Sequence, residues 1–197
     1  MLTDNLDTCL VAIGISTGGP QALAKVLGEL PADLAVPVVV AQHMPEGFTE
    51  LLARRLDSTC PIAVKEVTDG ERLKQATVYI ARAGRQLEIS MRDAVFTAHV
   101  FENRGMLYKP SVDILFRSLA QTTAAARVLG IIMTGMGSDG LQGARELRAR
   151  GARIVAESRN TCVVYGMSRS VIEAGLADQI RDVDDIAGVI SRSTGRR

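Results

Sequence analysis

Short apolar runs alternate along the chain with stretches whose apolar residues recur every three or four positions. Runs of the first kind predict buried strands, and stretches of the second kind predict amphipathic helices. Their repeated alternation is typical of β-α-β units and a mainly parallel sheet. The predicted strands cover residues 10–15, 36–41, 63–67, 77–81, 86–90, 94–101, 128–134 and 153–156. The predicted helices cover residues 18–30, 49–56, 111–126, 140–150, 168–174 and 183–190.

The chain shows no internal repeat, low-complexity segment or long linker. Its 197 residues therefore predict a single domain with a buried core. The dipeptide Ala83-Gly84 separates two short strand segments and predicts a small antiparallel hairpin of residues 77–81 with 86–90. The polar segment 191–197 is expected to be a disordered tail.

Composition narrows the class of protein. Hydrophobic residues make up 47% and aromatic residues only 4%, without Trp, so the core must be aliphatic. A net charge of +1 argues against a general nucleic-acid binder, and no apolar run reaches the roughly 20 residues that span a bilayer. The start of the chain lacks a signal-peptide pattern, and three scattered Cys suggest reduced thiols, not a disulfide frame or zinc site. We expect a cytoplasmic protein without membrane insertion, bound metal or cofactor.

Three predicted strands end in loops that carry the residue types of a hydrolase. Ser16 follows the first strand, His43 follows the second, and Asp139 lies in the Gly-rich loop after the strand at residues 128–134. In doubly wound sheets, binding sites gather at the carboxyl ends of the strands. We therefore expect these three side chains to lie near one another.

Ser16 alone permits more than one interpretation. It stands in Gly14-Ile15-Ser16-Thr17-Gly18-Gly19, directly before a helix start, where backbone amides stabilise negative charge. The segment matches the Gly-x-Ser-x-Gly pattern of nucleophile elbows, but a phosphate-binding loop or a helix cap would also fit it. Against a nucleotide site, the loop lacks both the Gly-x-x-x-x-Gly-Lys-Ser/Thr pattern and the middle glycine of Gly-x-Gly-x-x-Gly.

His43 and Asp139 favour catalysis. The chain has only two histidines, and the other, His99, lies within an alternating strand, so His43 is the candidate general base. Asp139 would orient the imidazole, although a helix N-cap role is an alternative. The glycines beside Met136 would let its backbone amide approach a substrate oxygen. The order Ser, His, Asp differs from the Ser, Asp, His order of α/β-hydrolases.

Five blocks resemble the catalytic domain of the chemotaxis protein-glutamate methylesterases (CheB type), from about Val11 to Leu176. The blocks are Ile15-Ser16-Thr17-Gly18-Gly19-Pro20, Gln42-His43-Met44-Pro45-x-x-Phe48-Thr49, Lys109-Pro110-Ser111-Val112-Asp113-x-Leu115-Phe116, Thr134-Gly135-Met136-Gly137-x-Asp139-Gly140 and Thr161-Cys162-Val163-Val164-Tyr165-Gly166-Met167.

The resemblance implies a doubly wound, mostly parallel seven-stranded sheet with helices on both faces. It further implies Ser16 as nucleophile, His43 as base and Asp139 as the orienting acid, with Thr17 and Met136 near the oxyanion site. The implied substrates are methylated glutamates on helical bundles of receptors, which would release methanol. Deamidation of glutamine is the same acyl transfer with ammonia as leaving group.

The chain departs from this family in several places. The first block begins within about fifteen residues of Met1, so we expect no receiver domain here, and either constitutive activity or control by a separate receiver or regulatory protein. Arg82 stands where the family commonly has Pro, Gln86 where it has His, and the segment 157–160 lacks an expected Gln-Asp pair. These changes are expected to alter the receptor-facing surface. Two alternatives therefore stay open: a hydrolase for another protein outside chemotaxis, and an inactive scaffold.

Overall fold

The computed structural model describes residues 8–103 and 105–195. The strands are β1 (Leu10–Ile15), β2 (Val38–Gln42), β3 (Ala63–Glu66), β4 (Thr77–Ile80), β5 (Gln86–Arg92), β6 (Val95–Phe101), β7 (Val128–Ile132), β8 (Arg153–Glu157) and β9 (Gln179–Arg181). The helices are α1 (Gly19–Gly28), α2 (Phe48–Thr59), α3 (Val112–Ala120), α4 (Leu141–Ala149), α5 (Met167–Glu173) and α6 (Val183–Ser193).

Seven strands form one sheet in the order β3-β4-β2-β1-β7-β8-β9, and every neighbouring pair is parallel. The first strand is central, and the strand order reverses on either side of it. This confirms the predicted doubly wound architecture. The loops after β1, β2 and β7 therefore meet at the switch point of the sheet, where ligands of such folds bind.

Alternate residues of each central strand enter different cores. Leu10 and Ala12 face the side covered by α3, α4 and the β5–β6 hairpin, whereas Val11 and Ile13 face the side covered by α1, α2 and α6. Both sets are fully buried, which explains why these strands consist almost entirely of apolar residues. A sheet covered on both faces is rigid support for loops at its edge.

The predicted hairpin was wrong in its partners. Residues Thr77–Ile80 pair in parallel with β2 and β3, and the hairpin joins β5 to β6 through Asp93 and Ala94. Both turn residues have positive φ, 50° and 62°, as a two-residue type I′ connection requires. The prediction failed because Asp-Ala is a weaker turn signal than Ala83-Gly84, which here only leads from one sheet to the other.

Several element limits also differ from prediction. Helix α3 ends at Ala120, six residues early, where the hydroxyl of Thr122 donates to the carbonyl of Leu119 at 2.8 Å. The short edge strand β9 was not predicted. The predicted disordered tail was wrong at its start, because α6 extends to Ser193 and both Ser193 and Thr194 are buried. Residues 196–197 lie outside the described residues.

Candidate functional site

Ser16 and His43 begin adjacent loops at the centre of the sheet. Ile15 pairs with Gln42 at the ends of β1 and β2, and the His43 amide donates to the Ile15 carbonyl at 3.0 Å. On the other side, the Ser16 amide donates to the carbonyl of Thr134 at 2.9 Å. The Ser16 loop therefore lies between the His43 loop and the loop that leads to Asp139.

The start of α1 shapes the Ser16 loop. Gly18 is the helix N-cap with φ of 84°, and the Gly19 amide donates to the Ser16 carbonyl at 2.8 Å. A Cβ on Gly19 would lie 1.9 Å from Oε1 of Gln42, so any larger residue here would displace the Gln42 side chain. The tight strand-to-helix turn leaves the half-buried Ser16 beside the N-terminus of α1.

Gln42 connects the two loops. Its Nε2 donates to the carbonyls of Ser16 and His43, each at 2.9 Å, and the residue is almost fully buried. One side-chain amide therefore fixes the backbone of both candidate reacting residues. Sequence reasoning assigned Gln42 no role, although a polar residue at the end of a Val-rich buried strand was an available signal.

Four donors hold the carboxylate of Asp139. It accepts from His43 Nε2 at 2.8 Å, from the Ser111 hydroxyl at 2.9 Å, and from the Val112 and Asp113 amides at 2.7 and 3.1 Å. Burial by itself would raise the pKa of Asp139, but the hydrogen bonds from His43 and the α3 amides outweigh it and lower that pKa. The group is thus a carboxylate aimed at one imidazole nitrogen.

The second imidazole nitrogen of His43, Nδ1, does not bind Asp139. Nδ1 is buried and has no hydrogen-bond partner within residues 8–103 and 105–195, so no hydrogen bond joins it to Ser16 Oγ there. With Nε2 on Asp139, Nδ1 is the nitrogen that can accept a proton. The structure therefore brings His43 and Asp139 into contact and places Ser16 on the adjoining loop; their catalytic roles stay predictions.

Two backbone amides are available near Ser16. Neither the Thr17 nor the Met136 amide donates a hydrogen bond within the described part of the chain. The Met136 side chain is 72% exposed, and Thr17 is exposed too. Free amides at a strand-to-helix turn are the donors that oxyanion holes use. Their role at this site remains a prediction.

Gly135 fixes the loop that carries Met136. Its carbonyl accepts from the Gly166 and Met167 amides at 3.0 and 2.9 Å, and its amide donates to the Val164 carbonyl at 2.9 Å. A Cβ at this position would lie 2.7 Å from Cβ of Ser16. The loop can approach Ser16 this closely because the residue is glycine.

Gln86 and the first residue of the segment 157–160 were wrongly expected to face a receptor, whereas Arg159 and Asn160 of that segment are exposed. Gln86 is fully buried: its Nε2 donates to the Tyr108 carbonyl at 2.7 Å, and its Oε1 accepts from the Ser111 amide at 2.8 Å. Glu157 is also fully buried and accepts from the Thr134 amide at 2.8 Å. Gln86 therefore fixes the segment 108–111, and Glu157 fixes the loop that follows β7. Arg82 does lie on the surface, near Glu66.

Burial also affects other ionisable groups near these loops. It raises the pKa of Glu157, and it raises the pKa of the Cys162 thiol to about 12. Cys162 is therefore a protonated, poorly nucleophilic thiol at neutral pH.

The described residues contain no group of three or more His, Cys, Asp or Glu placed to hold a metal ion. Among the same residues, no helix combines the length and apolar character needed to cross a membrane.

Comparison with known proteins finds close relatives. One from Desulfitobacterium hafniense, named protein-glutamate methylesterase/protein-glutamine glutaminase, is 47% identical over 190 residues, 95% of this chain and 48% of that protein. One from Nitratidesulfovibrio vulgaris, named protein-glutamate methylesterase/protein-glutamine glutaminase 2, is 48% identical over 182 residues, 92% of this chain and 49% of that protein. The chain spans about half the length of these curated relatives.

A solved structure shares the fold. The crystal structure of the Thermotoga maritima CheB methylesterase catalytic domain matches with a TM-score of 0.89 and 38% identity, covering 93% of this chain and 97% of that one. The family model described as CheB methylesterase matches residues 11–190. The chain therefore belongs to the CheB methylesterase family.

Proposed function

We propose that this chain is a serine esterase that removes methyl groups from glutamate side chains of receptor-like helical bundles. The observation that carries the proposal is the His43–Asp139 pair: Nε2 is 2.8 Å from the carboxylate, and the buried Nδ1 has no hydrogen-bond partner among the residues that the structure describes. The names of the relatives support methylated glutamate, and glutamine as a second substrate. The proposed setting is the cytoplasm, and the proposed control is by a receiver or another regulatory protein.

In the proposed reaction, Ser16 Oγ attacks the γ-ester carbonyl while its proton passes to Nδ1 of His43. The Thr17 and Met136 amides receive the oxyanion, and Asp139 stabilises the imidazolium. The imidazolium then protonates the leaving oxygen, and methanol departs. Water, deprotonated by His43, cleaves the acyl-enzyme and leaves free glutamate and Ser16. With a glutamine substrate, ammonia leaves in place of methanol.

A phosphate-binding role for the Ser16 loop receives less support. The Gly19 amide already donates to the Ser16 carbonyl, so one amide that a phosphate would need is occupied. A phosphate site would also not need the His43 nitrogen that has no partner in the described part of the chain.

The test is methanol release from methylated receptor fragments. Ser16→Ala and His43→Ala should reduce turnover to near background, because base assistance alone contributes about 10²–10⁴-fold. Asp139→Asn should keep slightly more activity, since a misoriented imidazole still assists. Ser138→Ala and His99→Ala are matched controls on exposed positions and should behave as wild type.

Labelling with a fluorophosphonate separates the chemistry from the substrate. Labelling at Ser16 without methanol release would reject receptor methyl esters and favour another acyl substrate. An unlabelled Ser16 together with no ester cleavage would reject the esterase itself and leave the inactive scaffold.

A further inference from the structure

The ring of Tyr108 lies flat against the imidazole of His43. The ring centroids are 4.4 Å apart and the planes differ by 6°. The His43 side chain is only 11% exposed, and Tyr108 is half-buried in the same groove. One face of the candidate base is therefore covered by an aromatic ring, while its edge contacts Asp139.

The segment that carries Tyr108 also holds Asp139. Gln86 donates to the Tyr108 carbonyl at 2.7 Å and accepts from the Ser111 amide at 2.8 Å, which fixes the segment at both ends. The Ser111 hydroxyl in turn donates to Asp139 at 2.9 Å. The ring over His43 and the donors to its carboxylate thus come from one short, firmly bonded stretch of chain.

The phenol of Tyr108 extends beyond the imidazole toward the loop of Met136. A Cβ on Gly137 would lie 2.9 Å from the phenol oxygen. Tyr108 therefore stacks on the candidate base, and its phenol oxygen occupies the space that a side chain at position 137 would need. Such contacts restrict the imidazole to one plane, because rotation about its side-chain bonds would collide with the phenol ring.

We propose that Tyr108 is a positioning residue for the reaction: its ring holds the imidazole plane so that Nδ1 stays directed at the Ser16 loop. Its π face also stabilises the imidazolium that forms when the Ser16 proton moves to Nδ1, since a cation within about 6 Å of an aromatic face is attracted to it. The inference rests on the proposed function for the roles of Ser16 and His43. Both effects come from the aromatic ring of Tyr108 and not from its hydroxyl.

The experiment measures the rate at which a fluorophosphonate labels Ser16 in the purified full chain. Labelling needs only an activated serine, so it does not depend on the protein substrate. Tyr108→Leu keeps side-chain bulk but loses the aromatic face, and should lower the maximal inactivation rate about tenfold while the half-saturating probe concentration stays the same. In Tyr108→Phe the rate of Ser16 labelling should stay within threefold of the wild-type rate.

Leu107→Ala is the matched control, because Leu107 is the neighbouring residue and is 84% exposed. It should label at the wild-type rate. Thermal unfolding verifies that each variant is folded, and Tyr108→Met replaces Tyr108→Leu if the latter is not.

The inference is overturned if the non-aromatic variant labels like wild type. It is equally overturned if Tyr108→Phe falls as far as Tyr108→Leu, or if Leu107→Ala does. Normal labelling without methanol release from methylated receptors would reject the proposed substrate alone, because the Tyr108 comparison would stand.

Discussion

The side-chain amide of Gln42 donates to the carbonyl of Ser16 at 2.9 Å, and the same nitrogen also reaches the His43 carbonyl. The relationship explains how a serine and a histidine 27 positions apart in sequence can keep a fixed spacing. The carbonyls of two different loops accept from one buried amide group, so moving either loop would lose a buried hydrogen bond.

We therefore expect Gln42→Glu to disrupt the site although its shape is unchanged. The carboxylate cannot donate and would face two carbonyl oxygens, which should lower stability by about 3 kcal/mol and serine labelling more than tenfold. Urea unfolding and fluorophosphonate labelling measure the two effects. Gln75→Glu, on the surface, should change neither. Wild-type labelling by Gln42→Glu would show that the loops hold their spacing without this donor.

Two glycines in α1 should respond oppositely to alanine. Gly19→Ala places a Cβ 1.9 Å from the Gln42 side chain and should cost roughly 1–3 kcal/mol, with reduced labelling of Ser16. In Gly28→Ala the new Cβ meets no other atom of the described residues within 4 Å, and the variant should gain up to about 1 kcal/mol, since alanine is the better helix former. The melting temperatures of the two alanine variants measure these effects. Equal shifts would contradict the expected difference in packing at the two positions.

Glu157→Gln should make stability less sensitive to pH. Burial raises the pKa of Glu157 above its ordinary value of 4.5, so its favourable contribution is present below that value and is lost as pH rises through the raised pKa. The glutamine variant keeps an acceptor for the Thr134 amide without the buried charge. Relative to wild type it should therefore gain about 1 kcal/mol between pH 4 and pH 8.

Urea unfolding at the two pH values tests this expectation. Glu157→Ala, which removes the acceptor as well, should be less stable than wild type at both. A Glu157→Gln variant whose difference from wild type does not change with pH would refute a buried-charge effect.

Asp139 should show the opposite dependence. Its pKa is lowered below 3.8, so the stability that it contributes is present above that value and is lost as pH falls through the depressed pKa. Asp139→Asn places an amide donor against the α3 backbone amides and should cost about 1–3 kcal/mol at pH 7. The difference from wild type should shrink near pH 2, which acid titration of the unfolding free energy measures. A difference that stays constant down to pH 2 would contradict the ionised role of Asp139.

Local patterns were sufficient for the parallel sheet and for most helices. Buried strands such as β1 and β2 are apolar apart from the terminal Gln42, because both faces of the sheet are covered. The spacing of Val112, Leu115, Phe116 and Leu119 predicts α3 from local sequence alone. The predicted hairpin was wrong because local sequence does not show which strands pair with each other. The late end of α6 was missed because burial of Ser193 depends on packing that composition does not reveal.

For the site, sequence alone determined the residue types and their strand-end positions: Ser16, His43 and Asp139, each after a buried strand. Only the tertiary structure decided that Asp139 binds Nε2 and leaves Nδ1 open, because that depends on ring orientation. It also decided that Tyr108 covers the imidazole and that Gln86 lies inward instead of toward a partner. Sequence patterns record periodicity and local bonding, whereas contacts between distant segments arise only when the sheet brings their loops to one edge.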